Sequence, residues 1–441
     1  MAEKINVRSV ALALLSEYEE QGKYVNLSLN SHKADKLSDS ERGQLTALLY
    51  TTVEHKLTYD YYIASLSGRS IDKIDSTTKN ILRLGLCQLF DMSGIPTHAA
   101  VNETVRLARG AGERSFVNGI LREADRRRNA LPLPDAKKNF ARYLSVKYSF
   151  PTWLVKRYVS VFGEDDTERL LIYFNNIPAT DLTVNTLKVT CEEYIEKLSA
   201  IGISAKKSDL SPLSVRISDS VDPRKLPGYS EGEFFVQDAS SSASVSVLSA
   251  KAGETVIDTC SCPGGKSFAT SIAMQDKGKI YSFDIHESKL PLIESGAERL
   301  GISSLTVSVR DALTPDESLF GKADAVICDA PCSGLGVLAK KPDLRYKSEE
   351  DIASLPTLQY EILKASAKYL KPGGRMIYST CTLLPEENGG VVDRFLSENR
   401  GFRALDFKIG EYESENGKFT FIPYIHKTDG FFVSLIEKEN I

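Results

Sequence analysis

Two cysteines in the C-terminal half of the sequence have neighbours that suit nucleophilic chemistry. Cys332 lies in the run DAPCSG, which extends from Asp329 to Gly334, and Cys381 ends the run YSTC. A free thiol has a pKa of about 8.5 and is only a few per cent thiolate at neutral pH, yet it is intrinsically a very good nucleophile. Most cysteines in a sheet are small core residues. These two follow predicted strands and stand among Pro, Ser, Thr and Gly, so we expect both to face a cleft.

A glycine-rich run upstream of both cysteines is typical of a strand, a tight turn and the start of a helix. In VIDTCSCPGGKS two adjacent glycines let a ligand approach the backbone, and a helix N-terminus offers free N–H groups. The end of the run matches a phosphate-binding P-loop, but position 260 is Cys where that motif needs Gly, and GxGxxG is absent. The predicted ligand-binding residues of this turn are Cys260, Ser261, Cys262, Pro263, Gly264, Gly265 and Lys266.

Acidic residues end the strands that follow the glycine-rich run. Asp284 stands about 20 residues beyond it, where a carboxylate can accept hydrogen bonds from both hydroxyls of a ribose. Asp311, in SVRDAL, is placed to meet an adenine edge, and Asp329 ends a further strand. Such an acid can also be a simple loop or helix N-cap residue. Because several stand in register beside one glycine-rich turn, they favour a nucleoside-containing cofactor.

The positions of these residues depend on the fold from Gly253 onward, where strand and helix patterns alternate. The segments TVIDT, KIYSFD, LTVSV, ADAVICD and RMIYST are typical of strands, with helical patterns between them. This βαβ rhythm predicts an open, mostly parallel, doubly wound α/β sheet of the Rossmann-like class. In such sheets ligands bind outside the carboxyl ends of the strands, which is where the acids and Cys381 stand.

The first third of the chain has a different pattern. From Val7 to about Arg128 apolar residues recur at helical spacing, which predicts an all-α domain. The exposed faces near its end carry more basic than acidic side chains. The basic residues are Arg106, Arg109, Arg114, Arg122, Arg126, Arg127 and Arg128. Ordinary solvated helix faces explain such charge as well as an anionic partner does, so the patch alone identifies no partner.

Between these parts lies a small α+β unit bounded by Pro178 and Pro223. Its segments TDLTVNT, EEYIEKLSAIG, ISAKKSD and LSVRIS favour the order strand, helix, strand, strand. That order resembles a ferredoxin-like or RRM-like module, although the aromatic residues that usually stack on RNA bases are not evident. We therefore predict three domains: a helical domain at 1–135, an α+β connector at 140–232 and an α/β domain at 233–441.

Composition and length exclude several classes of protein. A chain of 441 residues with 42% hydrophobic and 26% charged residues is typical of a globular multidomain protein, neither disordered nor fibrous. The net charge of −4 implies that any nucleic-acid surface is local. No apolar run reaches the roughly 18 residues of a membrane span, which favours a cytosolic protein. Seven cysteines without a CxxC spacing argue against a disulfide scaffold and against a zinc site.

The motifs CSCPGGK, DAPCSG and STC followed by LLPEEN, with Asp284 and Asp311 between them, resemble those of the Sun/Fmu family of RNA cytosine-C5 methyltransferases. The helical third, with LRLGLCQLF, VNETVRLAR and FVNGILR, is similar to the NusB-like RNA-binding domain fused to such enzymes in bacteria. The resemblance implies an all-α NusB-like domain, an RRM-like connector and a Rossmann-like methyltransferase domain. It further implies S-adenosylmethionine as cofactor and a cytosine of 16S rRNA as substrate. We also expect no metal and a monomer.

The resemblance also assigns roles to individual residues. Cys381 is implied as the nucleophile that adds to C6 of the cytosine, and Cys332 as a helper in release of the methylated product. Asp329 is expected to hydrogen-bond the amino and N3 edge of the cytosine and to line the cofactor, and Lys266 to contact cofactor or base. In DNA cytosine methyltransferases the Pro-Cys cysteine attacks instead, so the residues alone leave the two cysteine roles interchangeable. Cys262 departs from the family, which usually has Ala there, and we expect no catalytic change.

Two other functions stay open at this point. A non-catalytic RNA-binding or antitermination factor could keep a vestigial methyltransferase fold, although both cysteines and the strand-end acids speak against it. A P-loop nucleotide hydrolase is disfavoured by Cys260 and by the lack of a metal-binding partner for Ser267. The sequence Ala330-Pro331-Cys332 replaces the Pro-Pro-aromatic run of amino-group methyltransferases and favours methylation at carbon. The target base must leave its stack, so we expect a single-stranded loop or an extruded nucleotide.

Overall fold

The chain folds into two compact units in a computed structural model that describes residues 6–21, 29, 37–218 and 221–440. The helical unit comprises Met1–Asn175 and Lys341–Tyr346, and the sheet unit comprises Asn176–Lys340 and Lys347–Ile441. Among the described residues, no helix combines the length and the apolar character needed to cross a membrane.

In the helical unit amphipathic helices pack around a common apolar core, which confirms the all-α prediction for the first third. Leu45, Ile81 and Leu121 are fully buried in that core. The Ser38 hydroxyl and the Asp75 carboxylate accept hydrogen bonds from backbone N–H groups at the starts of two helices and so fix where these begin. The helices span Val7–Gln21, Asp39–Glu54, Lys56–Ser67, Ser76–Phe90, Thr97–Val105, Ala111–Arg126, Phe140–Tyr148, Thr152–Phe162 and Glu164–Phe174.

The helix Ser76–Phe90 lies at the centre of the helical unit and is buried on most of its sides. Its Arg83 is only 4% exposed, so its charge needs partners inside the protein. The guanidinium donates to both carboxylate oxygens of Asp60, at 2.6 and 2.7 Å, and to Glu19 at 2.6 Å. This charge network joins three helices of the unit.

A short segment from the C-terminal half of the chain completes the helical unit. Residues 341–346 include the 3-10 turn Pro342–Tyr346 and belong to this unit, while the residues on either side of them belong to the sheet unit. Arg345 is fully buried there, and its Nη1 donates to the carbonyl oxygens of Glu54 at 3.1 Å and Ser149 at 3.3 Å. The sequence places this segment within the α/β domain and gives no sign of the contact.

The sheet unit begins with a small antiparallel sheet in the order β2-β3-β1-β4, packed with a helix, which confirms the small α+β element. Its elements are β1 (Thr180–Val184), the helix Cys191–Ala200, β2 (Ala205–Lys207), β3 (Ser214–Ile217) and β4 (Phe234–Val236). The helices between residues 140 and 174 group with the helical unit. The domain boundaries at 135, 140 and 232 stay a prediction.

The rest of the sheet unit is the predicted doubly wound fold around a sheet in the order β10-β14-β9-β8-β5-β6-β7, with β13 beside β14. The five strands from β9 to β7 are parallel, and β14 runs antiparallel to β9. The strands are β5 (Thr255–Asp258), β6 (Lys279–Asp284), β7 (Leu305–Val309), β8 (Ala323–Asp329), β9 (Leu370–Thr380), β10 (Phe402–Ala404), β13 (Lys418–Phe421) and β14 (Phe431–Lys438). A separate pair is β11 (Lys408–Ile409) with β12 (Tyr412–Glu413).

Helices cover both faces of this sheet, so its central strands are buried and consist of apolar runs. The helices span Ala239–Leu248, Gly265–Ala273, Leu290–Leu300, Glu349–Ile352, Leu355–Ala367, Gly389–Glu398 and Pro423–His426. In the parallel register Asp329 stands opposite Ser379, at the carboxyl ends of β8 and β9. The ends of β5 and β6, at Asp258 and Asp284, lie at the same edge of the sheet.

Candidate active site

The glycine-rich turn after β5 depends on one glycine in particular. Gly264 has a φ of +105°, in the left-handed region that L side chains rarely adopt, and a Cβ there would lie 2.4 Å from the ring of Phe268. The helix Gly265–Ala273 starts at the next residue. The turn therefore brings the free N–H groups of a helix N-terminus beside the strand ends.

Other residues of the turn are tied to the neighbouring strands. The Cys260 N–H donates to Asp258 at 3.4 Å, and the Ser261 N–H donates to the Phe283 carbonyl at 2.8 Å. The peptide that precedes Pro263 is cis. The hydroxyl oxygen of Ser261 is buried and has no hydrogen-bond partner among the described residues. A bound ligand can supply the hydrogen bond that this buried oxygen lacks.

The two acids that follow the turn in sequence are half-buried and hold backbone groups in place. Asp284 accepts hydrogen bonds from the Cys262 N–H at 3.2 Å and the His286 N–H at 2.9 Å. Asp311 accepts one from the Leu313 N–H at 2.9 Å. Asp284 thus ties the end of β6 to the glycine-rich turn, while Asp311 shapes the loop after β7.

Asp258 braces the turn from inside the protein. It is 1% exposed and accepts a hydrogen bond from Ser267 Oγ at 2.7 Å, and that oxygen lies 2.8 Å from Ser282 Oγ. Burial raises the pKa of Asp258 to about 7, with a further contribution from the negative charge of Asp329.

The raised pKa of Asp258 predicts that the stability of the fold decreases as the pH rises. The folded state holds the proton with a pKa of about 7, against 3.8 for the free side chain, so the stabilisation is complete at low pH and is lost towards pH 7. Relative to the Asp258→Asn variant, the wild type should lose roughly 1 kcal/mol of unfolding free energy per pH unit across this range. Urea unfolding of both proteins across this pH range measures the change in unfolding free energy. If the difference between wild type and variant does not change with pH, the prediction is contradicted.

Lys266 and Asp329 form an ion pair at the edge of the sheet. Lys266 Nζ donates to Asp329 Oδ2 at 2.6 Å, and Ser379 Oγ donates to Oδ1 at 2.6 Å. The ammonium also lies 5.0 Å from the ring centroid of Phe431. Lys266 is 8% exposed, whereas about a third of the Asp329 side chain is exposed. The pair thus fixes one carboxylate that remains accessible at the strand ends.

The two cysteines of interest lie side by side. Cys332 Sγ is 3.1 Å from Cys381 Sγ, and the Cys381 N–H donates to Cys332 Sγ at 3.3 Å. Both side chains are only partly buried. The adjacent Cys381 sulfur, burial and the charge of Glu387 together hold the pKa of Cys332 well above its usual value. Two sulfur atoms this close can act together on one substrate atom.

The basic patch of the helical unit is exposed, but its arginines have partners. Arg126 and Arg127 both form ion pairs with Glu123 on the same helix, and their side chains are 72% and 54% exposed. Arg128 donates to the Leu89 carbonyl at 2.7 Å as well. Arg128 therefore has a structural contact, whereas Arg126 and Arg127 can exchange their partner for a phosphate at low cost.

Three polar residues that contact the cysteine loops did not stand out in the sequence: Ser379, Gln359 and Glu387. Glu387 lies in the run LLPEEN, which was part of the family resemblance but gave this residue no role. Within the described ranges, no group of three or more His, Cys, Asp or Glu side chains could hold a metal ion.

Comparison with protein families divides the chain into three matched regions. Residues 5–126 match the NusB family, and residues 150–223 match the ferredoxin-like domain of RsmF/B-like methyltransferases. Residues 245–437 match the family described as 16S rRNA methyltransferase RsmB/F.

Individual relatives match along the whole chain. It is 34% identical to a probable ribosomal RNA small subunit methyltransferase B of Bacillus subtilis, over 99% of each chain. It is 30% identical to the ribosomal RNA small subunit methyltransferase B of Serratia proteamaculans, over 99% of this chain and 100% of that one.

Solved structures show the same architecture. The crystal structure of PH0851 has a TM-score of 0.80 at 27% identity and covers 99% of this chain and all of that one. A methyltransferase homolog protein from Pyrococcus horikoshii has a TM-score of 0.61 at 26% identity, over 68% of this chain and 99% of that one.

Proposed function

Since the chain belongs to the ribosomal RNA small subunit methyltransferase B family, we propose that it transfers a methyl group from S-adenosylmethionine to C5 of a cytosine in 16S rRNA. The observation that carries the proposal is the pair of sulfur atoms 3.1 Å apart, on Cys332 and Cys381, beside the strand-end carboxylate of Asp329. A reaction at a ring carbon needs a nucleophile of this kind, whereas methylation of an amino group does not.

The residues at the glycine-rich turn fit S-adenosylmethionine. Gly264 has the left-handed backbone of a tight turn at the helix start, and the buried Ser261 hydroxyl has no partner among the described residues. We assign Asp284 to the ribose hydroxyls and Asp311 to the adenine edge, because Asp284 ends a strand and Asp311 follows one at the carboxyl edge of the sheet. When bound, S-adenosylmethionine supplies a sulfonium methyl group that a carbon nucleophile can attack.

Cys381 is the residue that makes the cytosine carbon reactive. C5 of cytosine is a weak nucleophile, and addition of the Cys381 thiolate to C6 forms an S–C6 bond and moves the electron pair of the C5–C6 double bond onto C5. C5 can then take the methyl group that the sulfonium would supply, and the sulfur would keep the electron pair of the broken S–CH3 bond. Transfer of the C5 proton to water restores the double bond as the S–C6 bond breaks, and Cys381 leaves as a thiolate.

Cys332 assists the last of these steps. Because its pKa is raised, Cys332 is a thiol at neutral pH and can donate a hydrogen bond to the departing sulfur of Cys381. A cysteine that keeps its proton is the poorer nucleophile, which supports Cys381 as the attacking group.

Asp329 and Lys266 orient the base. The Asp329 carboxylate can accept a hydrogen bond from the cytosine amino group, while Lys266, paired with it at 2.6 Å, can donate to the ring edge. These contacts favour the electron-poor form of the ring that a thiolate attacks. The base reaches this site only when it leaves its stack.

Incubation of the full chain with methyl-labelled S-adenosylmethionine and unmodified 16S rRNA tests the proposal. We expect label at one cytosine, released from the RNA by nuclease digestion as 5-methylcytidine. Label on an exocyclic nitrogen or a ribose would overturn the carbon assignment. An RNA that binds but gains no label would favour a non-catalytic RNA-binding factor instead.

The exposed arginines at the end of the helix Ala111–Arg126 are proposed as part of an RNA anchor. The double change Arg126→Gln and Arg127→Gln should weaken rRNA binding and reduce the salt dependence of the binding constant by about one unit per arginine. Binding of S-adenosylmethionine should not change. Filter binding at several salt concentrations measures both effects.

Arg169→Gln is the matched control, since Arg169 is 66% exposed and pairs with Asp166 three positions before it. It should leave RNA affinity unchanged. If the double variant of the patch binds rRNA like wild type, the patch does not contact RNA.

A further inference from the structure

Glu387 connects the two cysteine loops of the sheet unit. It is 1% exposed, and its Oε2 accepts a hydrogen bond from the Ser333 N–H at 2.8 Å. Its Oε1 accepts one from Thr382 Oγ1 at 3.3 Å. Ser333 and Thr382 directly follow Cys332 and Cys381 in sequence, so a single carboxylate holds the residue after each cysteine.

Further hydrogen bonds make this connection rigid. Ser333 Oγ donates to Thr382 Oγ1 at 2.8 Å, which joins the loops directly. Gln359 Nε2 donates both to Glu387 Oε2 at 2.9 Å and to the Pro331 carbonyl at 3.0 Å. The residues before and after Cys332 are therefore both held through groups that contact Glu387.

The Glu387 carboxylate accepts every side-chain hydrogen bond that it makes to these loops. Its partners are two N–H donors and one hydroxyl. A negative charge next to Cys332 disfavours the thiolate of that residue. The other titratable groups around this loop are Cys381, Tyr378 and Lys347, whose ammonium donates to the Ser333 carbonyl at 2.8 Å.

We propose that Glu387 is a positioning residue that holds Cys332 and Cys381 in contact and keeps the proton on Cys332. The inference rests on the proposed function, because it assigns the attacking thiolate to Cys381. It adds a reason for the division of roles: the carboxylate accepts from the backbone N–H that directly follows Cys332, so a negative charge lies close to that residue. The raised pKa of Cys332, with Glu387 among its causes, is consistent with it.

Alkylation of Cys332 by iodoacetamide tests the charge effect without cofactor or RNA. In the full chain carrying Cys381→Ser, the alkylation rate of Cys332, followed by peptide mass spectrometry, should have a pH midpoint above the ordinary value of about 8.5. Adding Glu387→Gln, which keeps the side-chain shape, should lower the midpoint by about one pH unit. Glu387→Asp keeps the charge and should leave the midpoint close to that of the parent.

The control is Glu361→Gln, which removes an exposed negative charge from the helix Leu355–Ala367 and should not move the midpoint. A midpoint at or below about 8.5 in the parent overturns the proposal even if no Glu387 variant folds. So does an unchanged midpoint in a folded Glu387→Gln protein.

Methylation of 16S rRNA supplies the second readout. In the chain with both cysteines, Glu387→Gln should shift the pH profile of turnover, whereas Glu361→Gln should not. An unshifted profile in a folded Glu387→Gln protein contradicts the proposal. If the wild type itself does not methylate rRNA, the proposed function fails, while the alkylation midpoints still decide whether Glu387 controls the proton on Cys332.

Discussion

The Cys381→Ala variant is expected to lose methyl transfer to 16S rRNA by at least about a thousandfold, because no other group forms the bond to C6 that activates C5. Single-turnover transfer of labelled methyl from S-adenosylmethionine to unmodified rRNA measures the loss. Alanine removes only the sulfur at the end of β9, so the melting temperature and the affinity for S-adenosylmethionine should stay near wild type.

Cys328→Ala is the matched control for this variant. Cys328 is a fully buried cysteine of β8, one strand away, and burial raises the pKa of its thiol to about 12. The change should cost stability through a small cavity and leave the transfer rate of the folded fraction intact. Near-normal activity in Cys381→Ala would refute the assignment of the nucleophile.

Cys332→Ala has a different expected result: the protein should accumulate as a covalent complex with its RNA. Cys381 can still attack C6, but its departure lacks the thiol that lies 3.1 Å from its sulfur. A band of slower mobility on a denaturing gel, resistant to boiling and removed by nuclease, reports the complex. Formation of the band should depend on S-adenosylmethionine, while multiple turnover falls by at least about tenfold.

The double variant Cys332→Ala with Cys381→Ala should form no such complex, which assigns the covalent bond to Cys381. The reverse pattern, a complex in Cys381→Ala and none in Cys332→Ala, would mean that the Pro-Cys cysteine attacks, as in DNA cytosine methyltransferases. The two single variants together therefore distinguish the alternatives that sequence reasoning left open.

Much of the fold could be predicted because it is encoded by local periodicity. Helical spacing of apolar residues before Arg128 and the alternation of strands and helices after Gly253 each reflect burial of one face or of a whole strand. The parallel strand order itself was not predictable, but the rule that ligands bind at the carboxyl ends of strands placed Asp329 near Cys381. The structure brings Lys266 to Asp329 at that same edge.

The contacts that sequence reasoning missed are made by polar residues over long separations. Glu387 has no role in the sequence analysis, and only the folded loops show that it accepts hydrogen bonds from residues 54 positions before and 5 positions before it. Arg345 lies within the range predicted for the α/β domain, yet it is fully buried in the helical unit. A single buried charged side chain does not follow the periodic pattern of apolar residues, because its burial depends on the particular partners that compensate its charge.

The buried segment at Arg345 has a consequence for synthesis of the protein on the ribosome. Its partner Glu54 precedes it by 291 positions, so at ordinary rates of translation roughly 15 to 60 s pass between the two residues. During that interval the helices made first can assemble only around a gap, with the Glu54 and Ser149 carbonyl oxygens left without the donor that Arg345 supplies. The N-terminal third of this chain is thus first in the order of synthesis but reaches its final packing only after most of the chain has been made.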